Sequence, residues 1–338
     1  MTEIFGTLGP ACSDIKTLEE MFRHGMHGMR LNMSHTSLTE SADIIDNYHT
    51  AAKNAGVEGG LLIDLQGGEL RLGKVRPGTV AENGSLLHLS ADGTESSIPI
   101  PPSVYAALEL GDELLIDDGK ILLKVTNISG DGVETEVLRG GSIESQKSIK
   151  IVGKEVHSDI LTRQDRENIL LSRRYGVTAI MQPFVTKAGE LLRIRKFLSE
   201  NGLEALRLFA KIESLDGVDN LDEILPLADM IVIARGDLGN DMPLWELPGV
   251  QKKIAQKCIF ANKPFLVVTQ LLSSMISSPT PTRAEVSDIF NAVLDGATAL
   301  MVTNETAVGS YPAEVIDYLS KTAGRAESFK ADYTSSAV

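Results

Sequence analysis

Cysteine, positive charge and long apolar runs are all scarce in this sequence, and each scarcity removes a class of function. Only Cys12 and Cys258 occur in 338 residues, far apart and without metal-ligand spacing. A disulfide-stapled scaffold and a cysteine zinc site are thereby excluded, and two reduced thiols are expected. Lysine and arginine number 32 against 46 aspartates and glutamates, a net charge of −14. A surface of that sign does not grip nucleic acid or an anionic membrane, so neither is expected as a partner. A local cluster of Arg, Lys and metal can still hold a small anion. No apolar run approaches the roughly 20 residues that span a bilayer. The chain opens Met1-Thr2-Glu3-Ile4 and enters a strand-like run at once, which predicts no signal peptide and a cytoplasmic protein.

What is present is alternation. Apolar runs of strand length at residues 3–8, 28–32 and 60–64 are separated by helix-like segments at 14–24 and 38–55. From about residue 67 to 154 the pattern changes to short alternating runs (85–89, 113–116, 121–128, 133–138) divided by Gly, Asn and Asp turn signals. Strand–helix alternation then resumes, with strands at 178–181, 207–212, 230–234, 264–268 and 299–302 and a last helix at 312–327. Eight such units with a β module looped out after the third strand predict an α/β fold, a (β/α)8 TIM barrel carrying an inserted all-β domain. An open doubly wound sheet shares the alternation, but eight strands would make it unusually wide. No glycine-rich dinucleotide fingerprint follows the first strand. The expected division is a barrel of residues 1–66 and 155–329, a β-barrel-like lid of 67–154, and a tail of 330–338 that frays.

In such barrels the site lies at the C-terminal ends of the strands. Those ends supply Arg30, Asn32, Ser34, Asp64, Lys211, Glu213, Arg235, Asp237, Thr269, Gln270, Thr303, Asn304, Glu305 and Thr306. Lys211 and Glu213 are two apart, so on a strand both point to one side. Glu213 and Asp237 form a natural pair of hard oxygen ligands for Mg2+. Salt bridges of these acids to Lys211 and Arg235 account for the same residues, and both readings stay open at this point. Arg235-Gly236-Asp237-Leu238-Gly239 lets backbone N–H groups approach an anionic group. Lys211 is a candidate for neutralising a transferring group or an enolate. Arg30 reads as an anion clamp or a surface ion pair, and His35 as a packed or capping histidine.

Together these residues resemble the pyruvate kinase family, over nearly the whole chain. The resemblance runs through Thr7-Leu8-Gly9-Pro10-Ala11, Gly28-Met29-Arg30-Leu31-Asn32-Met33-Ser34-His35 and Asp117-Asp118-Gly119. It continues through Ala210-Lys211-Ile212-Glu213, Ala234 to Gly239, Thr269-Gln270-Leu271-Leu272, Pro281-Thr282-Arg283-Ala284-Glu285 and Glu305-Thr306-Ala307. It implies transfer of the phosphoryl group of phosphoenolpyruvate to ADP, giving pyruvate and ATP. On matching positions, Glu213 and Asp237 would hold Mg2+ or Mn2+. Lys211 and Arg30 would meet the phosphoryl group, the N–H groups of Gly236 and Asp237 the substrate carboxylate, and Thr269 the side from which the enolate is protonated. The catalytic set is then Lys211, Thr269 and Arg30. Pro10, Asn32, His35, Arg71 and Lys147 match nucleotide-side positions. Asn32, Ser34, Asp64 and Leu65 are candidate K+ ligands. A homodimer through barrel helices is compatible with the pattern.

The departures from the family pattern are informative too. The third-strand motif, usually Asp-Thr-Lys-Gly-Pro-Glu-Ile-Arg, reads Asp64-Leu65-Gln66-Gly67-Gly68-Glu69-Leu70-Arg71. Leu and Gln at these positions accompany potassium independence in one branch of the family, but there a Lys stands where this sequence keeps Glu69, so monovalent-ion dependence is open. The residue before Lys211 is Ala210 rather than Ser, and Thr303-Asn304 replaces Ser-Gly. The sequence ends after the eighth helix, where family members continue into an effector-binding domain, so control through such a domain is not expected. Two alternatives follow from these differences: a Mg2+-dependent lyase or decarboxylase of 2-oxo acids, and a non-catalytic phosphoenolpyruvate-binding regulator.

Overall fold

The computed structural model describes residues 1–336 apart from His35, Glu69, Asp92, Thr94, Glu95, Ser96, Asp118, Asp131, Gln146, Glu155, His157 and Ser158. Eight parallel strands close into a ring: β1 (Glu3–Thr7), β2 (Gly28–Asn32), β3 (Gly60–Asp64), β4 (Val177–Gln182), β5 (Arg207–Ile212), β6 (Met230–Ala234), β7 (Phe265–Val268) and β8 (Ala299–Met301). The ring closes where β1 pairs with β8, Glu3 beside Ala299 and Phe5 beside Met301. Every strand is nearly all apolar because its outer face lies under helices and its inner face fills the barrel. The interior holds one residue in two: Phe5, Leu62, Ala179 and Met181, Phe209, Met230, Val232 and Ala234, Leu266 and Val268, Ala299 and Met301.

Helix starts follow capping chemistry. Asp14, Thr162, Ser214 and Thr282 each accept a backbone N–H with the side chain just before a helix. Between β5 and β6 the helical segment is broken into two short pieces, Leu215–Asp219 and Leu221–Ile224. The final helix runs Pro312–Ser336, so much of the tail expected to fray is helical. Thr306 ties the ring shut: its hydroxyl accepts the Thr7 N–H at 2.8 Å and donates to the Thr7 carbonyl at 3.0 Å.

Two compact units are present, Met1–Gly67 with Leu161–Val338, and Gly68–Ile160. The second has its own core, including Leu72, Leu89, Leu114, Ile116, Leu123, Val125, Val133 and Val137. Its main sheet runs in the order Ile149–Ile151, Glu113–Ile116, Ile121–Ser129, Gly132–Arg139, Leu86–Ser90, Ile98–Pro99. It is not purely β as the sequence suggested: Pro102–Ala107 is a short helix that buries Val104. In the first unit, the chain beside both boundaries ends on one fully buried carboxylate. Asp165 accepts the N–H groups of Gln66 at 2.8 Å, Gly67 at 3.1 Å and Thr162 at 2.9 Å.

Candidate active site

The alternation that fills the barrel also builds its mouth. Phe209 points inward, so Lys211, two residues on, points inward one layer higher. The same step leads from Phe5 to Thr7 and from Leu62 to Asp64. Lys211 Nζ lies 3.1 Å from Asp64 Oδ2 and 2.9 Å from Glu213 Oε1. Arg30 meets the same Asp64 oxygen at 2.8 Å and reaches Thr7 Oγ1 at 3.4 Å. Arg30 is therefore part of a buried network and not a surface pair. Sequence reasoning placed Asp64 near a cation but missed that it bridges Arg30 and Lys211.

Burial would raise the Asp64 carboxyl, but the charges of Lys211 and then Arg30 hold it below its ordinary value. Burial would likewise strip the proton from Lys211, yet Asp64 and Glu213 outweigh it and keep the ammonium charged. Glu213 goes the other way. Burial, with the nearby charges of Asp237 and Asp64 overcoming the help of Lys211, pushes it up to about 7. Its Oε2 accepts the Phe184 N–H at 2.8 Å. Its Oε1 touches Lys211 but makes no aligned hydrogen bond, although it is buried. Counting formal charges, Arg30 and Lys211 give +2 while Asp64, Glu213 and Asp237 give −3, so the cluster sums to −1. A buried acidic oxygen whose contact is a single ammonium, next to a second carboxylate, fits a divalent cation that takes one or two carboxylates. No group of three or more His, Cys, Asp or Glu with metal-site geometry occurs among the described residues. The donor set on offer is the two-carboxylate kind.

The adjoining rim is a second network. Thr269 and Gln270, just after β7, have φ of +73° and +54°, and Phe184 after β4 has +53°. A left-handed conformation costs a non-glycine residue about 1–3 kcal/mol and is most unusual for a β-branched one. What holds Thr269 there is Arg235, whose Nη2 donates to the Thr269 carbonyl at 2.6 Å, and Gly236, whose N–H donates to Thr269 Oγ1 at 2.8 Å. The Gly236 N–H expected to face a substrate carboxylate is thus committed to Thr269. Arg235 pairs with neither metal-ligand candidate. Its Nη1 meets Asp288 Oδ1 at 2.8 Å and Oδ2 at 2.7 Å. Asp288 went unnoticed in the sequence, being one of two acids on the helix Arg283–Leu294.

The remaining expected residues are distributed over both units. Asn32 Oδ1 accepts the Ser34 N–H at 3.1 Å, and Leu65, directly after β3, is buried. Pro10 sits in a 3-10 turn after β1. Gly9 before it permits a close approach, since a Cβ there would lie 2.4 Å from the Ala307 carbonyl oxygen. Glu305 is buried and accepts the Thr303 N–H at 2.7 Å. In the second unit, Arg71 bridges Ser148 while the Leu72 N–H bonds the Lys147 carbonyl, which brings Arg71 and Lys147 to one ladder. Lys147 is paired with Asp117 at 3.2 Å and Glu144 at 3.3 Å. His35 lies outside the described residues, as do Glu69 and Asp118.

Comparison with known proteins gives one answer. The family profile described as pyruvate kinase, barrel domain, matches residues 1–316. A pyruvate kinase of Bacillus licheniformis is 36% identical over 96% of this chain and 57% of its own length. One of Geobacillus stearothermophilus is 38% identical with the same coverage. The chain thus spans a little over half the length of these relatives. The crystal structure of Cryptosporidium parvum pyruvate kinase superposes with a TM-score of 0.87 at 32% identity, covering 96% of this chain and 70% of that one.

Proposed function

The chain belongs to the pyruvate kinase family, and we propose that it transfers the phosphoryl group of phosphoenolpyruvate to ADP with Mg2+ held by Glu213 and Asp237. The observation that carries this is Glu213, a buried carboxyl whose Oε1 lacks an aligned hydrogen bond beside a cluster summing to −1. Two added positive charges would turn that sum to +1, the sign an anionic substrate requires. When bound, Mg2+ or Mn2+ would supply Lewis-acid neutralisation of substrate and phosphoryl oxygens.

The chain's own groups do the rest. Lys211 and Arg30, both charged and both fixed on Asp64, would face the phosphoryl group as its bond to the enol oxygen breaks and a bond to the ADP β-phosphate oxygen forms. The electron pair of the broken bond stays on the enolate. C3 then takes a proton, delivered from water on the Thr269 side, to give pyruvate. Asp237 would also contribute its N–H to the substrate carboxylate, and Gly236 could do so only by exchanging its bond to Thr269. On the barrel, Pro10, Asn32 and His35 are offered to the nucleotide. In the second unit, Arg71 and Lys147 are offered to phosphate, Lys147 by exchanging its pairs with Asp117 and Glu144. Oxygens of Asn32, Ser34, Asp64 and Leu65 are offered to K+, which would share Asp64 with two side-chain cations. A cytoplasmic setting suits the two free, buried thiols. The exposed Leu244, Trp245 and Phe260, around the helix Leu247–Phe260, support a homodimer through barrel helices, which a monomeric mass in sedimentation would refute.

The decisive assay is ADP-dependent pyruvate formation from phosphoenolpyruvate with Mg2+, in K+ and in Na+. Lys211→Met is expected to lower kcat by roughly 10²- to 10³-fold. Equal rates in the two proteins, or none from folded wild type, would overturn the reading. Release of pyruvate from oxaloacetate without ADP would favour the lyase instead.

A further inference from the structure

Thr269 is gripped at both ends by one turn. Arg235 holds its carbonyl and Gly236 its hydroxyl, and these two residues are consecutive at the end of β6. Because Oγ1 accepts the Gly236 N–H, the hydroxyl proton remains available to be donated elsewhere. The hydrogen bond therefore sets both the rotamer and the direction of donation. Everything then depends on where Arg235 lies. Its guanidinium is buried, and its Nε has no hydrogen-bond partner among the described residues. The contacts that orient it are the Thr269 carbonyl on Nη2 and the two oxygens of Asp288 on Nη1. Asp288 comes from a different element, the helix Arg283–Leu294, which is fixed at its start by the Thr282–Glu285 capping box.

We propose that Asp288 is a positioning residue for the proton-transfer half of the reaction, acting through Arg235 on the Thr269 hydroxyl; this rests on the functional reading above. With Asp288 neutralised, Arg235 keeps one of its two anchors and can swing. The left-handed Thr269–Gln270 turn, which no glycine relieves, then relaxes toward ordinary φ values. The hydroxyl leaves its line, while Lys211, Arg30 and Glu213, held by other contacts, stay in place. Proton delivery should suffer and substrate binding should not.

The test is a double-mutant cycle with Asp288→Asn and Thr269→Val, read as exchange of pyruvate methyl protons with D2O by NMR and as steady-state pyruvate formation. Asp288→Asn should slow methyl exchange about tenfold, within the coupling range of residues that share one hydrogen-bond network. The KM for phosphoenolpyruvate should stay within about twofold. In the Thr269→Val background, Asp288→Asn should have no further effect, and Asp288→Glu should restore part of the exchange in the Thr269 background. Equal losses in both backgrounds, or no loss in either, would overturn the proposal. A readout independent of turnover is the Thr269 methyl resonance, assigned by its disappearance in Thr269→Val. Asp288→Asn should shift or broaden it, and an unchanged resonance overturns the positioning claim. If wild type exchanges no methyl protons, the functional reading fails, and the resonance alone decides the role of Asp288.

Discussion

Lys211 and the two cysteines show how burial acts differently on different side chains. The ammonium of Lys211 keeps its proton through neutral pH because Asp64 and Glu213 flank it. Cys12 and Cys258 have no comparable cationic cluster. Burial pushes Cys12 up to about 11 and Cys258 up to about 12, the latter despite a small opposing pull from Lys263. The thiolate is the reactive species, so both should be inert in the native protein. An aromatic disulfide reagent at about pH 8 should titrate neither thiol until denaturant is added, and then both; a fast native reaction would contradict the burial seen here. Residues whose partners are distant in the chain were the least legible. Lys211 and Glu213 declared themselves by a two-residue spacing. Asp288, 53 positions from Arg235, carries no local mark.

The helix Arg283–Leu294 depends on one acid. Glu285 accepts the Thr282 N–H at 2.8 Å within a capping box and also takes the Ser274 N–H at 2.8 Å and hydroxyl at 2.5 Å. Burial alone would raise its carboxyl, but the bonds from Ser274 and then Thr282 outweigh it and lower the value. A depressed carboxyl contributes stability above its unfolded value, about 4.3, and loses it as pH falls through the lower folded value. Glu285→Gln should therefore cost about 1–2 kcal/mol at neutral pH. In urea unfolding, the gap between the two proteins should narrow below about pH 4; a gap that stays constant into acid would count against the carboxylate. Element positions were readable from apolar runs and caps, and all eight strands lie within a residue of their expected ends. The split helix at Leu215–Asp219 and Leu221–Ile224 and the short turns Arg235–Leu238 and Asn304–Ala307 were not, because a single helical turn leaves no periodicity to read.

For the molecule as a whole, the ring and its insertion were legible from the change of period near residue 67, while the join was not. Asp165 reads as an ordinary N3 acid of a capping box, yet it also binds Gln66 and Gly67 from almost a hundred residues away. Three N–H groups on one carboxylate bring the chain ends at Gly67 and Leu161 close together. Replacing Gly68–Ile160 with a short Gly-Ser loop should leave a barrel that unfolds cooperatively. Adding Asp165→Ala to that protein should cost about 2–3 kcal/mol by stranding its donors. Loss of cooperative unfolding on excision alone would show that the barrel needs the inserted unit to fold.

The position of that join also defines a way to take the ring apart. The insertion leaves after β3 and returns before β4, so it divides the ring into three strands and five. A chain cleaved anywhere within Gly68–Ile160 is consequently a split protein. Its halves remain stitched by two parallel ladders, β3 to β4 and β1 to β8. Arg30 and Asp64 belong to one half, and Lys211, Glu213 and Thr269 to the other. Complementation between the fragments would then report ring closure as recovered activity.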